Sequence, residues 1–381
     1  MMVKLRGKFG KMISKEIFEN IFSGKTVFVT GHTGFIGSWI SLWLKSLGAN
    51  VVGYSIDIPT KPSMFEIIEL KNSITSIVGD VNNLQKLENS LNEFQPSFVF
   101  HLAAQPIVRV SYEKPIKTLE TNIMGTANLL ESIRHVSSVK SAVFLTSDKC
   151  YKNLEKNYAY TEDDPLGGHD AYSSSKAAAE LIISSYRDSF FHRIKEEFPI
   201  GIASVRAGNV IGGGDWGQDR LMPDCINSLL SGKKIIIRNP DAVRPFQHVL
   251  EPLYGILKLA QKLYKYPKNF SSSWNMGPNL LTEKIHVSQF VDTVIEQWGS
   301  GKWENIIHST VEHEAKLLML NSTKAKKLLN WQTILTFHES ISETISWYAA
   351  FNEKKLDMDK FTLSQIENYL KKTKQMNTSN L

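Results

Sequence analysis

From residue 25 onward, short apolar runs alternate with amphipathic stretches. KTVFVT (25–30), NVVGYS (50–55), SITSIVGD (73–80), PSFVFHLA (96–103), SAVFLTS (141–147) and IGIASVRA (200–207) are rich in Val, Ile and Phe. Runs of that length and composition predict strands. Between them, 34–47, 82–94, 117–136 and 171–195 predict helices; in the first, Trp39, Leu42, Trp43 and Leu47 are apolar. Strands alternating with helices predict an α/β fold, a Rossmann-type parallel sheet with helices on both faces. Beyond 207 the pattern loosens, and Gly212-Gly213-Gly214 with several prolines marks loops. The expected organisation is a basic leader (1–24), a nucleotide-binding domain (25–207), a smaller C-terminal lobe occupying most of 208–350, and a tail (351–381). Some later segments are expected to return to the first domain. In the leader, Ile13, Ile17 and Ile21 recur every four residues and predict a short helix against the main body. Lys371, Lys372, Lys374 and the polar NTSN end predict a frayed tail.

The length of 381 residues exceeds one typical core and fits two domains. An apolar content of 42% with 22% charged residues excludes a disordered chain. No apolar run reaches the ~18 residues of a membrane span, and the leader lacks the continuous apolar core of a secretory signal. Cys150 and Cys225 form no metal-ligand spacing, so no metal is expected, and free thiols fit a reducing cytoplasm. The net charge of +6 is dispersed, which argues against a nucleic-acid stripe and suits an anionic small substrate or simple solubility.

The first strand runs into Gly31-His32-Thr33-Gly34-Phe35-Ile36-Gly37. Glycines at this spacing let the backbone turn sharply and approach a pyrophosphate at the next helix's N-terminus. The strand-before, helix-after context favours a dinucleotide site over a plain turn. NAD is favoured over NADP, because no Arg cluster follows the second strand. Asp57 either meets the ribose or is a loop aspartate before Pro59; Asp80 either meets the adenine edge or caps the following helix. Tyr172 and Lys176 in YSSSK share one helical face, and a nearby ammonium favours a phenolate. YxxxK alone is common on surfaces, but here Thr146-Ser147-Asp148-Lys149 closes the preceding strand, where such sheets hold ligands.

GHTGFIG, HLAAQ (101–105), TNIMGT (121–126), TSDKCY (146–151), YSSSK and RAGNVIGGGDW (206–216) together resemble the extended short-chain dehydrogenase/reductase family. Within it, GHTGFIGSWISLWL, DPLGGHDAYSSSK and RNPDAVRPFQHVLEP resemble the nucleotide-sugar 4,6-dehydratases, in order over about 22–350. The resemblance implies a homodimer, NAD as cofactor, and CDP-glucose or a related nucleotide sugar as substrate. It implies an internal redox cycle: oxidation at C4, loss of water across C5 and C6, and hydride return to C6. Tyr172 would be the base at the 4-hydroxyl with Lys176 beside it, Ser147 would bond the 4-oxygen, Asp148 would be the acid, and Lys149 the base at C5. Asp148 separates a dehydratase from an epimerase or reductase on the same fold. Gly31, Thr33, Gly34, Phe35, Ile36, Gly37, Asp57, Asp80, Val81, Leu102, Ala103, Ala104, Tyr172 and Lys176 are implied around the cofactor. Gln105, Asn122, Asn209, Arg220, Arg238, Arg244 and His248 are implied around the substrate, with Asn122 also supporting the active-site helix. Arg206 is a weaker anion-binding candidate. Trp216 packs either on the substrate or in the core. His101 reads as structural, and His169 as part of a turn.

Overall fold

The computed structural model describes residues 16–191, 199–278, 284–305 and 317–379. Seven strands form one parallel sheet: β1 (Thr26–Thr30), β2 (Asn50–Ser55), β3 (Thr75–Val78), β4 (Phe98–His101), β5 (Ser141–Leu145), β6 (Gly201–Ala207) and β7 (Ser273–Met276). Their order is β7-β6-β5-β4-β1-β2-β3. The first six coincide with the apolar runs, trimmed at the ends by the last backbone pairings. Every residue of β6 is buried, as expected of a parallel strand covered on both faces. The chain leaves β1 toward β2 on one side and takes up β4 on the other. The loops after β1 and β4 therefore diverge and open a crevice at the strands' C-terminal ends.

Four helices flank these strands: α1 (Phe35–Ser46), α2 (Leu84–Phe94), α3 (Gly125–Arg134) and α4 (Ala171–Tyr186). One core, with Trp39, Trp43 and Trp274, covers one face; a second, with Phe28, Leu129 and Phe144, covers the other. The helix predicted over 117–136 is interrupted. Pro115–Leu119 leads into a π-turn at Glu120–Met124 before α3 begins. The helix predicted over 171–195 closes as α4 at Tyr186 and continues as a π-turn to Phe191; 192–195 lie outside the described residues.

The second half of the chain supplies α5 (Leu221–Leu230), α6 (Leu250–Lys265), α7 (Val287–Trp298) and α8 (Phe337–Glu353), with two small parallel strand pairs of its own and a third that joins Met319–Leu320 to Ala159–Tyr160. It also supplies β7, which pairs with β6 from Ser273 opposite Ser204 to Met276 opposite Ala207. The later part of the chain thus completes the sheet begun by the earlier part.

The first and last described segments both pack on the body. Ile13 lies outside the described residues; Ile17 and Ile21 are half-buried, and Phe18 and Phe22 are buried against Trp43, Tyr254 and Phe98. The frayed tail is not what forms. Met358–Ser379 is helix α9, and Ile366, Tyr369, Leu370 and Thr373 are buried at helical spacing. That stripe is hidden by the polar average of the segment. The Tyr369 hydroxyl donates to Glu251 Oε2 at 2.7 Å, and Glu251 Oε1 accepts the Ile334 and Leu335 N–H groups at 2.8 and 2.7 Å. Glu251 is fully buried, and burial pushes its carboxyl up to about 7. Among the described residues, no helix is long and apolar enough to cross a membrane.

Candidate active site

The glycine turn follows from close approach. Gly31 adopts φ +75°, and a Cβ there would lie 2.7 Å from the Ala103 nitrogen. A Cβ at Gly37 would stand 2.0 Å from the Gly31 carbonyl oxygen, so glycine lets α1 press onto the turn. Gly34 is the N-cap of α1; no side chain caps it, and no acidic residue occupies the first turn. The first-turn N–H groups, which include those of Phe35 and Ile36, therefore face the crevice as donors for an anion. Half-buried Leu102, Ala103 and Ala104 form the other wall. This uncapped, glycine-lined cradle fits the pyrophosphate of a dinucleotide.

His32 locks the turn from below. It is buried between the Ser55 hydroxyl (2.9 Å) and the Ser76 hydroxyl (2.7 Å), and burial pushes its imidazole down to about 4. The Thr33 hydroxyl donates to the Asp57 carbonyl at 2.5 Å. Asp57 thus ties its backbone to the turn while its side chain is exposed, two residues past β2. Asp80 Oδ1 accepts the Asn82 N–H at 2.9 Å, and its other oxygen meets Lys117 at 3.4 Å. Val81 is buried under Gly125, where a Cβ would approach it to 2.5 Å.

Beyond β5, Ser147 caps a short turn, Asp148–Cys150, by accepting the Lys149 N–H. Asp148 is only 3% exposed and accepts the Ser147 hydroxyl at 3.0 Å. Burial raises its pKa, opposed by Lys149, Ser147 and Arg244, so the acid form is favoured relative to an exposed aspartate. Tyr172 stands beside it: Lys149 Nζ is 5.9 Å and Lys176 Nζ 6.0 Å from its ring centroid. Burial pushes the Tyr172 phenol up to about 12, against a hydrogen bond with Ser147. Burial pushes Lys176 down to about 8, while Glu180 and Cys150 act in the opposite direction.

Asn122 sits buried in the π-turn. Its amide accepts the Gln105 N–H at 2.8 Å and donates to Ser175 at 2.8 Å, bracing α4. A π-turn inside a helix often marks a functional position. Gln105 turns its own amide onto Ile107 and Thr118, so its side chain serves this local turn.

The substrate-side candidates divide. Arg244 is buried, donates to the Val243 carbonyl at 3.1 Å, and acts electrostatically on Asp148. Arg220 pairs with Asp215 at 3.0 Å and acts on the Tyr172 phenol. Asn209 is half-buried, its carbonyl holding the Gln247 N–H at 3.0 Å. Arg238 is exposed and pairs with Asp219 at 3.3 Å. His248 departs from expectation: it is fully enclosed, edge-on to Trp39 at 6.1 Å, and no surface of its ring is open to a ligand. Arg206 also departs, being buried against Glu180 (2.7 Å) and the Tyr151 hydroxyl (2.8 Å). Trp216 packs edge-on to Tyr348 and Phe351. His101 bridges Thr30 and Thr126 at 2.7 and 3.2 Å, a structural role, and His169 is exposed. Sequence reasoning missed Glu180. Its signal was its place four residues after Lys176.

Residues 28–344 match the family model described as GDP-mannose 4,6 dehydratase. The chain is 48% identical to a CDP-glucose 4,6-dehydratase of Salmonella typhimurium over 336 residues, covering 88% of this chain and 93% of that protein. A solved dTDP-glucose 4,6-dehydratase of Bacillus anthracis, in complex with NAD, shares the fold with a TM-score of 0.71 at 24% identity, covering 87% of this chain and 98% of that one. A UDP-glucuronic acid 4-epimerase of Bacillus cereus, bound to UDP-glucuronic acid and NAD, gives 0.73 at 24% identity, covering 86% and 99%.

Proposed function

The chain belongs to the GDP-mannose 4,6-dehydratase family, and from that membership we infer that it converts CDP-glucose to CDP-4-keto-6-deoxyglucose, an NAD-dependent lyase reaction. The observation that carries this reading is the 48% identity to a CDP-glucose 4,6-dehydratase across nearly both whole chains. The buried carboxyl beside the Tyr172–Lys176 pair accords with it, because an epimerase needs no acid to expel water.

The cradle at Gly31–Gly37 would hold NAD⁺, which would supply reversible hydride storage between C4 and C6 with no net redox change. Tyr172 takes the proton of the sugar 4-hydroxyl, with the Lys176 ammonium favouring its phenolate. Ser147 bonds the 4-oxygen. The resulting 4-ketone acidifies C5–H, and Lys149, in its neutral amine form, removes that proton. Asp148 donates its proton to the departing C6 hydroxyl, a role its raised pKa supports. Arg244, with Asn209 and Arg220, binds the diphosphate; a planar guanidinium suits that group. Leu102–Ala104 would line the nicotinamide part of the cofactor, and Asp57 and Asp80 its adenosine part.

The protein acts as a homodimer. Exposed Tyr112, Ile116, Met124 and Leu181 lie on the helical segments around α4, an apolar set suited to a second copy. The two buried thiols accord with a reducing cytoplasm.

Mass spectrometry of products from CDP-, dTDP-, UDP- and GDP-sugars tests the reading. CDP-glucose is expected to lose the mass of one water without accumulation of NADH. A product retaining its C6 hydroxyl, or stoichiometric NADH, would overturn it.

A further inference from the structure

Behind Tyr172 and Lys176 stands a charged group that the reaction above leaves unused. Helix α4 carries Tyr172, Lys176 and Glu180 at steps of four residues, and all three are buried. Glu180 Oε1 accepts the Thr146 hydroxyl at 2.5 Å. Its Oε2 accepts the Ser204 hydroxyl at 2.9 Å and the Arg206 guanidinium at 2.7 Å. Arg206 reaches on to the Tyr151 hydroxyl, which donates to Asn275 on β7 at 2.6 Å. One carboxylate therefore ties α4 to β6 and to the end of β5, through the residue next to Ser147.

A buried ion pair is a weak device for stability alone, since apolar side chains of equal volume often serve as well. What hydrocarbon would not supply here is negative charge one helical turn from Lys176. Several groups surround that amine. Tyr172 and Glu180 come from its own helix. Cys150 comes from the turn after β5 and His101 from β4, while Asp148 and Lys149 of the same turn act on the Tyr172 ring beyond it. Among the influences on Lys176 that oppose its burial, Glu180 is the larger and Cys150 the smaller.

We propose that Glu180 is a positioning residue of the dehydration: it keeps the buried Lys176 amine protonated and fixes the Thr146–Ser147 strand end against α4, so that Tyr172 ionises at lower pH than it would beside a neutral amine. This rests on the reading of Tyr172 as the base. Without the carboxylate, Lys176 loses its proton more readily, and a phenol with no ammonium beside it is harder to ionise.

Glu180→Gln keeps the shape and removes the charge. Its acid limb in the kcat–pH profile is expected about one unit higher than wild type, with roughly tenfold less activity at pH values below the wild-type limb, regained about two units above it. Glu180→Asp, which retains the charge, is expected to keep its limb within about half a unit of wild type. Arg206→Met removes the competing guanidinium and leaves the carboxylate to the Thr146 and Ser204 hydroxyls and to Lys176, so its limb is expected at or below the wild-type position. NAD affinity, read by calorimetry, is expected to be unchanged in Glu180→Gln. Activity lost by the same factor at every pH in Glu180→Gln, a limb left in place there, or an upward shift in Arg206→Met would overturn the proposal. If Glu180→Gln does not fold, the direction of the Arg206→Met shift decides it alone. A wild-type protein that leaves every nucleotide sugar unchanged defeats the reading of the reaction instead, before any variant is compared.

Discussion

Replacing Glu251 by Gln isolates one buried charge that links α6, the 334–335 backbone and the C-terminal helix. The carboxyl has an ordinary pKa of 4.5 and is pushed to about 7 in the fold. The folded chain therefore holds this proton more tightly than the unfolded chain does. Its contribution is fully present below pH 4.5, falls as pH rises through about 7, and is flat above. At ~1.4 kcal/mol per pH unit, the interval amounts to ~3 kcal/mol. Glutamine is neutral throughout; its oxygen can keep the Ile334 and Leu335 N–H bonds while its amide donates to the Tyr369 oxygen. The stability of wild type relative to Glu251→Gln is thus expected to decline from pH 5 to 7.5. Urea unfolding of the full chain, followed by far-UV circular dichroism at several pH values for both proteins, measures the difference. Trp331, whose indole N–H donates to the Glu251 carbonyl at 3.0 Å, gives a local fluorescence check. A wild-type minus variant difference that is constant with pH, or that favours wild type increasingly as pH rises, would refute the reasoning.

Other outcomes follow from the site. Asp148→Asn is expected to slow loss of water by about 10²–10⁴-fold while C4 oxidation persists as transient NADH absorbance; unimpaired water loss would count against the acid role. Lys149→Ala should abolish exchange of the C5 hydrogen with deuterated solvent, seen by NMR, and wild-type exchange would reassign that base. Gly37→Ala forces a Cβ to 2.0 Å from the Gly31 carbonyl oxygen, so NAD affinity by calorimetry should fall at least about tenfold; unaltered affinity would contradict the tight packing of the turn.

Much of this fold was legible because its determinants are local. The six apolar runs are strands whichever partners they find, and the glycine turn declares itself through backbone needs at Gly31 and Gly37. The Tyr172–Lys176 pair was equally readable, since four residues on a helix fix a shared face. What escaped depends on partners distant in sequence. β7 reads SWNM, with only Trp274 and Met276 apolar, and becomes a strand because β6 offers it an edge. Glu180 finds Arg206 only after the sheet has set β6 beneath α4. The π-turn at Glu120–Met124 depends on the inward amide of Asn122, which a period of 3.6 cannot show. His248 lies in a stretch that resembles a substrate contact, but resemblance does not say which way a side chain in a two-residue strand points. The tail misled because charge averaged over its length concealed a narrow apolar stripe.

The late arrival of β7 bears on how this protein is born. β6 leaves the ribosome with one margin unpaired, and its neighbour is not synthesised until some seventy residues later. At bacterial-like elongation of roughly 5–20 residues per second, that margin waits about 3–14 s for its own strand. During that interval a strand rich in apolar residues, with Ser204 and Arg206 still lacking their Glu180 contacts, offers open amides and carbonyls to any passing nascent chain. Slower translation through the intervening region would lengthen the wait, and a holdase that covers extended apolar segments would have most to protect there.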